Sequence, residues 1–294
     1  FSSMSNSQPK VCVLLAVYNG EMFLKQQVHS ILYQCDVACD IFASLDLSDD
    51  RSNDIIRGFS RKFDNVHIVS EGIRFGSAAK NFYNLIKKVN ISGYDYVCFS
   101  DQDDIWFPDK ISNAITTLRA SGASGFSSDV YAFWPGNGKF SRIRKSRAMT
   151  VLDHFFESPG PGCSQVFTRD SFIRFQLFYS ANETLFANFD YHDWLIYAFY
   201  KESNLRWVIS DIPGMLYVQH SQNQIGANSS LSASVRRLGM IRSKWYRSQV
   251  LILAEVFCRP EILSGQFMIR NVFRLRRSKV QAVIVLLIFV FGFM

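Results

Sequence analysis

Residues 99–110 read FSDQDDIWFPDK and set three carboxylates, Asp101, Asp103 and Asp104, within four positions, directly behind the apolar run YDYVC. Like charges at that density repel, and burying them unpaired is costly. On extended backbone Asp101 and Asp103 project to the same side. Two carboxylates aimed together into a cleft suit a divalent cation held between protein and polyphosphate. Mg2+ and Mn2+ favour a few carboxylates plus waters and substrate phosphates over an all-protein cage. The bland alternative is a solvated acidic turn ahead of a helix near Pro108, with Asp104 or Asp109 at its N-terminus. A second acidic cluster, Asp49 and Asp50, sits in LSDDRSND, and the first apolar run ends in AVYNGE, where Ala16, Tyr18 and Asn19 offer backbone and ring surface to a flat base. Neither G-x-x-x-x-G-K-S/T nor a G-x-G-x-x-G after the first strand is present, which removes the P-loop and dinucleotide classes.

These clusters fall at the ends of strand-like runs. VCVLLAV (residues 11–17) is a continuous apolar stretch of the kind buried on both faces. A helical pattern follows with Phe23, Leu24, Val28, Ile31 and Leu32 on one side. DIFASLD, VHIVS and YDYVCFS read as further strands; RSNDIIRGFSRKF, with Ser52 or Asn53 as N-cap, and GSAAKNFYNLIKKV read as the helices between them. Strict alternation with short connections predicts an α/β fold with a mostly parallel sheet and helices on both faces, which binds ligands at the carboxyl ends of its strands. Beyond residue 121, SDVYAFW and GKFSRIRKSRAM are candidate strands around the turn PGNG, YHDWLIYAFYKES is a helix, and RWVIS and GMLYVQH are expected to close the sheet. From Ser232 the chain reads as helical to its end.

With 48% hydrophobic and 15% aromatic residues in 294, the chain can bury a sizeable core, and global disorder is excluded. The polar start FSSMSNSQPK shows no secretory pattern. Cys35 and Cys39 form a C-x3-C with no second pair or His to complete a zinc set, and a reducing cytoplasmic setting fits the six cysteines. The net charge of +7 is concentrated at one end: from Arg236 onward eleven basic residues face Glu255 and Glu261, which leaves the remaining chain close to neutral. That asymmetry points to a localised anionic partner such as a membrane surface, and away from nucleic acid. Residues 280–294 are mostly apolar but shorter than the ~20 that span a bilayer. Preceded by Arg274, Arg276, Arg277 and Lys279, they suit peripheral anchoring on the inner face of the cell membrane, a buried core or oligomer helix being the rival reading.

Taken in order, AVYNG, SDDRSND, GSAAKNF and FSDQDDIWFPDK resemble the successive motifs of family 2 glycosyltransferases with the GT-A fold. SDQDDIW in particular is similar to the bacterial rhamnosyltransferase-like branch, which builds surface polysaccharides. The resemblance implies a GT-A (Rossmann-like) domain over residues 10–225, with its nucleotide-binding part at 10–120 and its acceptor part at 121–225, followed by a basic helical extension at 226–294. It further implies inverting transfer of a sugar, rhamnose first, from a dTDP- or UDP-linked donor to a lipid-linked or oligosaccharide acceptor, with Mn2+ or Mg2+ as cofactor. Asp101, Gln102 and Asp103 then form the DxD motif, Asp103 as chief metal ligand and Asp101 nearer the ribose, while Asp49 or Asp50 faces the base and Lys80 the nucleotide. Asp193 in FDYHDWLIY is the implied general base, Asp190 its alternative, and a helix N-cap the structural reading. His220 resembles a further metal contact. Gly162 and Cys163 in GPGCSQVF resemble the acceptor-side loop, Cys163 as packing; Trp194 is placed on that side but outside the catalytic set. Arg51 stands where the family carries Gly, at a turn where positive φ is tolerated by Gly alone. The alternatives are a nucleotidyltransferase, which would want a glycine-rich basic loop after the first strand, and a non-catalytic nucleotide-sugar-binding protein.

Overall fold

VCVLLAV forms an inner strand of the main sheet in the computed structural model, which describes residues 7–220 and 245–290. In β1 (Lys10–Val17), Val11, Val13, Leu15 and Val17 enter one core while Cys12, Leu14 and Ala16 enter the other, the alternation expected of a strand covered on both faces. β2 (Ala38–Asp46) and β3 (Val66–Ile73) add in parallel on one side, and β4 (Tyr96–Ser100) pairs in parallel with β1 on the other. Chain order therefore reverses between β1 and β4, and the crevice beyond their carboxyl ends is the topological switch point where open α/β sheets bind ligands. The sheet is completed by β6 (Gly125–Ser128), β9 (Val166–Thr168) and β10 (Trp207–Ser210), in the order β10-β6-β9-β4-β1-β2-β3, with β9 antiparallel to both neighbours.

Helices α1 (Glu21–Leu32) and α4 (Lys110–Ser121) cover the face reached by Val11 and Val13. α3 (Ala78–Lys88), α5 (Arg169–Ala181) and α6 (His192–Glu202) cover the other through an aromatic core in which Phe82, Phe99, Phe167 and Phe172 meet edge-on or tilted at 5.2–6.0 Å. α2 (Ser52–Lys62) runs beside β3. Its start falls at Ser52, and the side chain that caps it is Asp50, which accepts from the Ser52 N–H at 2.9 Å, so neither expected N-cap fills that role. Arg51 has φ −84°, so no left-handed turn is required where the family carries Gly.

One expectation is corrected. GMLYVQH does not close the main sheet: β11 (Met215–Val218) belongs to a second sheet with β5 (Ile105–Trp106), β7 (Val130–Trp134) and β8 (Lys139–Ile143), ordered β5-β11-β7-β8. RWVIS is β10 and does sit at the main sheet's edge. The described C-terminal part is helical, as several helices. Residues 221–244 lie outside the described part; the rest is α7 (Trp245–Val256), α8 (Gly265–Arg270) and α9 (Lys279–Val290), joined by short 3-10 turns. Val250, Leu253, Ile262, Met268, Leu275 and Val285 from this arm share the aromatic core, in line with the core-helix reading. Arg276 and Arg277 turn inward onto Glu157 and Asp153, which removes them from the basic set expected to meet lipid. Among the described residues no helix is long and apolar enough to cross a membrane.

Candidate active site

A cleft of about 780 Å³ opens at the switch point, lined by Ala16 at the end of β1, by Tyr18 and Asn19 just beyond it, and by Asp101, Gln102 and Asp103 after β4. Ser158, Gly162, Asp190 and Asp193 line it as well. The loops on the donor side are tied together by their own polar groups. Gln102 gives its carbonyl to the Tyr18 N–H and its amide NH2 to the Tyr18 carbonyl, so it fixes the loop after β1 and has little left for a ligand. Asn19, at φ +48°, donates its N–H to Ser48 Oγ at 3.1 Å and accepts from the Asp49 N–H at 2.9 Å.

Several expected donor contacts lie elsewhere. Asp49 and Asp50 do not line the cleft; Asp50 caps two helices at once, accepting from Glu21 N–H and Ser52 N–H at 2.9 Å each, and those bonds hold its pKa below the usual range despite burial. The acid that does line the cleft is Asp46, at the irregular end of β2, with its carboxylate holding the Phe75 and Gly76 N–H groups at 3.0 and 3.1 Å. Its position at the end of DIFASLD was the available signal. Lys80 is exposed outside the cleft, and the cations lining it among the described residues are Arg74 and Lys145.

The acceptor-side placements divide in the same way. Gly162 lines the cleft beneath the N-terminus of α6, and a Cβ there would stand 2.6 Å from His192 Nε2 and 3.4 Å from Asp193 Cβ. The His192 ring cannot yield: it is stacked on Phe82 at 3.8 Å and backed by Phe99 at 4.9 Å, and burial pushes its pKa down to about 3, so it is a neutral imidazole. Cys163 is fully buried below the cleft as packing, its thiol raised by burial and by Asp104 and Asp101. Trp194 is a correction: it is 4% exposed, donates its indole N–H to the His154 carbonyl at 2.7 Å and offers no face to a sugar.

Burial sets the protonation of the carboxylates. Asp193, in the first turn of α6, is raised to about 6 by desolvation, opposed by the Trp194 N–H, the Ser158 hydroxyl and the charge of Lys145. Asp101 is raised to about 7 by desolvation and then by the Asp103 charge. Asp104 is fully buried and raised further, by desolvation and both neighbours. Two sets could hold a cation. Asp101, Asp104 and Cys163 bring ligand atoms within 4.8 Å of one another, but a soft thiol beside a fully buried carboxyl makes a poor host for a hard ion that keeps water and phosphate. Asp103 lines the open cleft, and its Oδ2 meets His220 Nε2 at 2.8 Å, so a carboxylate and an imidazole adjoin there although His220 itself does not line the cleft. That donor set fits Mn2+ or Mg2+ better, and it is the set expected from the sequence.

A mostly parallel α/β sheet with an acidic switch-point cleft and a carboxylate on a helix N-terminus defines the GT-A class of glycosyltransferases. Residues 12–178 match the family model described as glycosyl transferase family 2, and the chain belongs to that family. It is 39% identical over 286 residues, 94% of this chain and 99% of the relative, to dTDP-rhamnosyl transferase RfbG of Shigella flexneri. It is 27% identical over 157 residues, 53% of this chain and 56% of the relative, to the putative teichuronic acid biosynthesis glycosyltransferase TuaG of Bacillus subtilis. Among solved structures, S. aureus TarS 1-349 in complex with UDP-GlcNAc superposes with TM-score 0.55 at 14% identity, covering 96% of this chain and 81% of that one. The mannosyltransferase PcManGT from Pyrobaculum calidifontis, in complex with GDP-Man and Mn2+, gives 0.54 at 15% identity, over 95% and 75%. The protein is a glycosyltransferase, and the nucleotidyltransferase reading falls away.

Proposed function

We propose that this glycosyltransferase moves rhamnose from dTDP-rhamnose to a lipid-linked or oligosaccharide acceptor in bacterial surface polysaccharide synthesis, with inversion at the anomeric carbon. The observation that carries the chemistry is one cleft lined by Asp101, Asp103 and Asp193 together. The donor assignment rests on the dTDP-rhamnosyl transferase relative aligned along 94% of the chain. Tyr18, Asn19 and Asp46 hold the base and Asp101 the ribose; Arg74 and Lys145 meet the diphosphate. Asp103 and His220 hold the Mn2+ or Mg2+, which when bound supplies counter-charge to the leaving diphosphate. Asp193 takes the proton of the acceptor hydroxyl as that oxygen bonds to the anomeric carbon and the bond to the diphosphate breaks on the opposite face. A carboxyl poised near 6 is ionised at neutral pH yet basic enough to receive that proton.

Residues 10–120 serve the donor, joined by Lys145 and His220, the rest of 121–225 serves the acceptor, and 226–294 form the extension. Its outer surface is the contact with anionic lipid at the inner membrane face: Val280, Val283, Ile284 and Leu287 form an exposed apolar stripe on α9, beside exposed Arg270, Arg274 and Lys279. A thermal-shift panel of nucleotide sugars with and without Mn2+ tests the donor. dTDP-rhamnose is expected to raise Tm most, UDP-hexoses less; a shift with GDP- or CMP-sugars alone would overturn the assignment.

A further inference from the structure

Arg277 lies about a hundred residues beyond the segment that defines the family, yet its side chain is only 2% exposed. Its guanidinium donates to Asp153 Oδ2 at 3.0 Å and to the Ser158 carbonyl at 2.5 Å, and lies 3.2 Å from Glu157 Oε2. Its backbone N–H donates to Glu157 Oε1 at 2.6 Å. Asp153 also accepts from the Tyr197 hydroxyl at 2.9 Å. Tyr197 follows Asp193 by four residues on α6, one turn along the same face. Ser158 itself lines the cleft with Asp193, Lys145 and Gly162. Its hydroxyl faces two acceptors, the Gly160 carbonyl at 3.1 Å and the Asp193 carboxylate. One guanidinium thus grips the helix below Asp193 and the loop that faces Asp193.

We propose that Arg277 is a positioning residue for sugar transfer: from the C-terminal arm it locks Asp153 to Ser158 against α6 and so fixes the acceptor-side wall around Asp193. Holding the arm in place does not need such a device, because Met268, Leu275 and Val285 already anchor it in the core. A buried ion pair is weak evidence of stability by itself. The planar fork does what apolar packing cannot, tying two acceptors on different elements at a set spacing. The proposal rests on the reading of Asp193 as base.

Arg277→Lys tests it, since an ammonium keeps the charge beside Asp153 and Glu157 but cannot bridge Asp153 and the Ser158 carbonyl. The readouts are dTDP release from dTDP-rhamnose by water, at saturating donor with Mn2+, and dTDP affinity by calorimetry, with Asp193→Asn measured alongside. Misplacing a reacting group by about 1 Å costs up to ~10²-fold, so the expected result is a fall of about 10- to 100-fold in release with affinity within about twofold. A release rate within about twofold of wild type, or rate and affinity falling together, would overturn it. Should Arg277→Lys fail to fold, the same split is read on Tyr197→Phe, which leaves the Arg277 ion pairs intact but cuts the hydrogen bond that ties Asp153 to α6; an unchanged rate there overturns the proposal equally. An inactive Asp193→Asn beside a fully active Arg277→Lys removes the clamp alone, whereas an active Asp193→Asn removes the base and the clamp with it.

Discussion

At the scale of single residues, the cleft separates its carboxylates by environment. Asp193 carries a folded-state pKa of about 6 against an ordinary 3.8, because burial outweighs the donors around it. The base must be ionised, so the transfer rate should rise with pH through about 6 and level off above 7; a rate flat from pH 5 to 8 would contradict the assignment. The same shift fixes the sign for stability. A raised acid stabilises the fold below its unfolded pKa and loses that contribution as pH rises from about 4 through 6. Asp193→Asn should therefore be at least as stable as wild type at pH 7.5 by thermal denaturation, while losing activity. Gln102 offers a sharper contrast. Gln102→Glu keeps the length but cannot donate to the Tyr18 carbonyl, and losing such a hydrogen bond at a half-exposed site costs roughly 0.5–1.5 kcal/mol. Nucleotide affinity should fall by roughly three- to tenfold if Tyr18 holds the base. Calorimetry with dTDP checks this, and unchanged affinity would place Tyr18 outside the donor site.

At the scale of elements, the first hundred residues were legible because each strand is a continuous apolar run and each helix an amphipathic one, patterns set by local period. The second sheet was not, since Ile105–Trp106 pairs with Met215–Leu216 across more than a hundred residues and no local pattern encodes such a partner. Asp46 was missed for a related reason: a single acid ending a strand looks less chemical than the adjacent Asp49-Asp50 pair, of which Asp50 is spent on capping. Gly162 was legible as a cleft residue; its reason appears only in space, where α6 comes too close for a side chain. Gly162→Ala should destabilise the protein by about 1–3 kcal/mol, because the stacked His192 cannot move aside. Urea denaturation measures it, and an unchanged midpoint would show that the loop has room. On α9 the apolar stripe is open while Ala282 and Val285 are buried, so Ile284→Glu should leave the fold intact and weaken flotation on anionic liposomes. Undiminished flotation would remove the membrane contact from this face.

At the scale of the whole molecule, the charge asymmetry along the sequence does not map onto a uniformly basic surface. Part of the arm's positive charge is internal, where Arg277 and Arg276 neutralise Asp153 and Glu157. Ion pairs formed across 119 to 124 residues leave no trace in composition, which is why the arm read as an appendage and not as a segment paired with Asp153 and Glu157. The account's central claim is that two carboxylates lining one cleft divide the work, donor and cation binding at Asp103 and proton transfer at Asp193. One paired measurement tests it most directly: dTDP affinity by calorimetry with Mn2+, and the rate of transfer from dTDP-rhamnose at saturating donor, on Asp103→Ala and Asp193→Asn. Asp103→Ala is predicted to lose affinity and its Mn2+ dependence. Asp193→Asn is predicted to keep affinity while the rate falls by ~10²- to 10⁴-fold, as for a lost general base. An Asp193→Asn enzyme that transfers rhamnose at near wild-type rate would contradict the account.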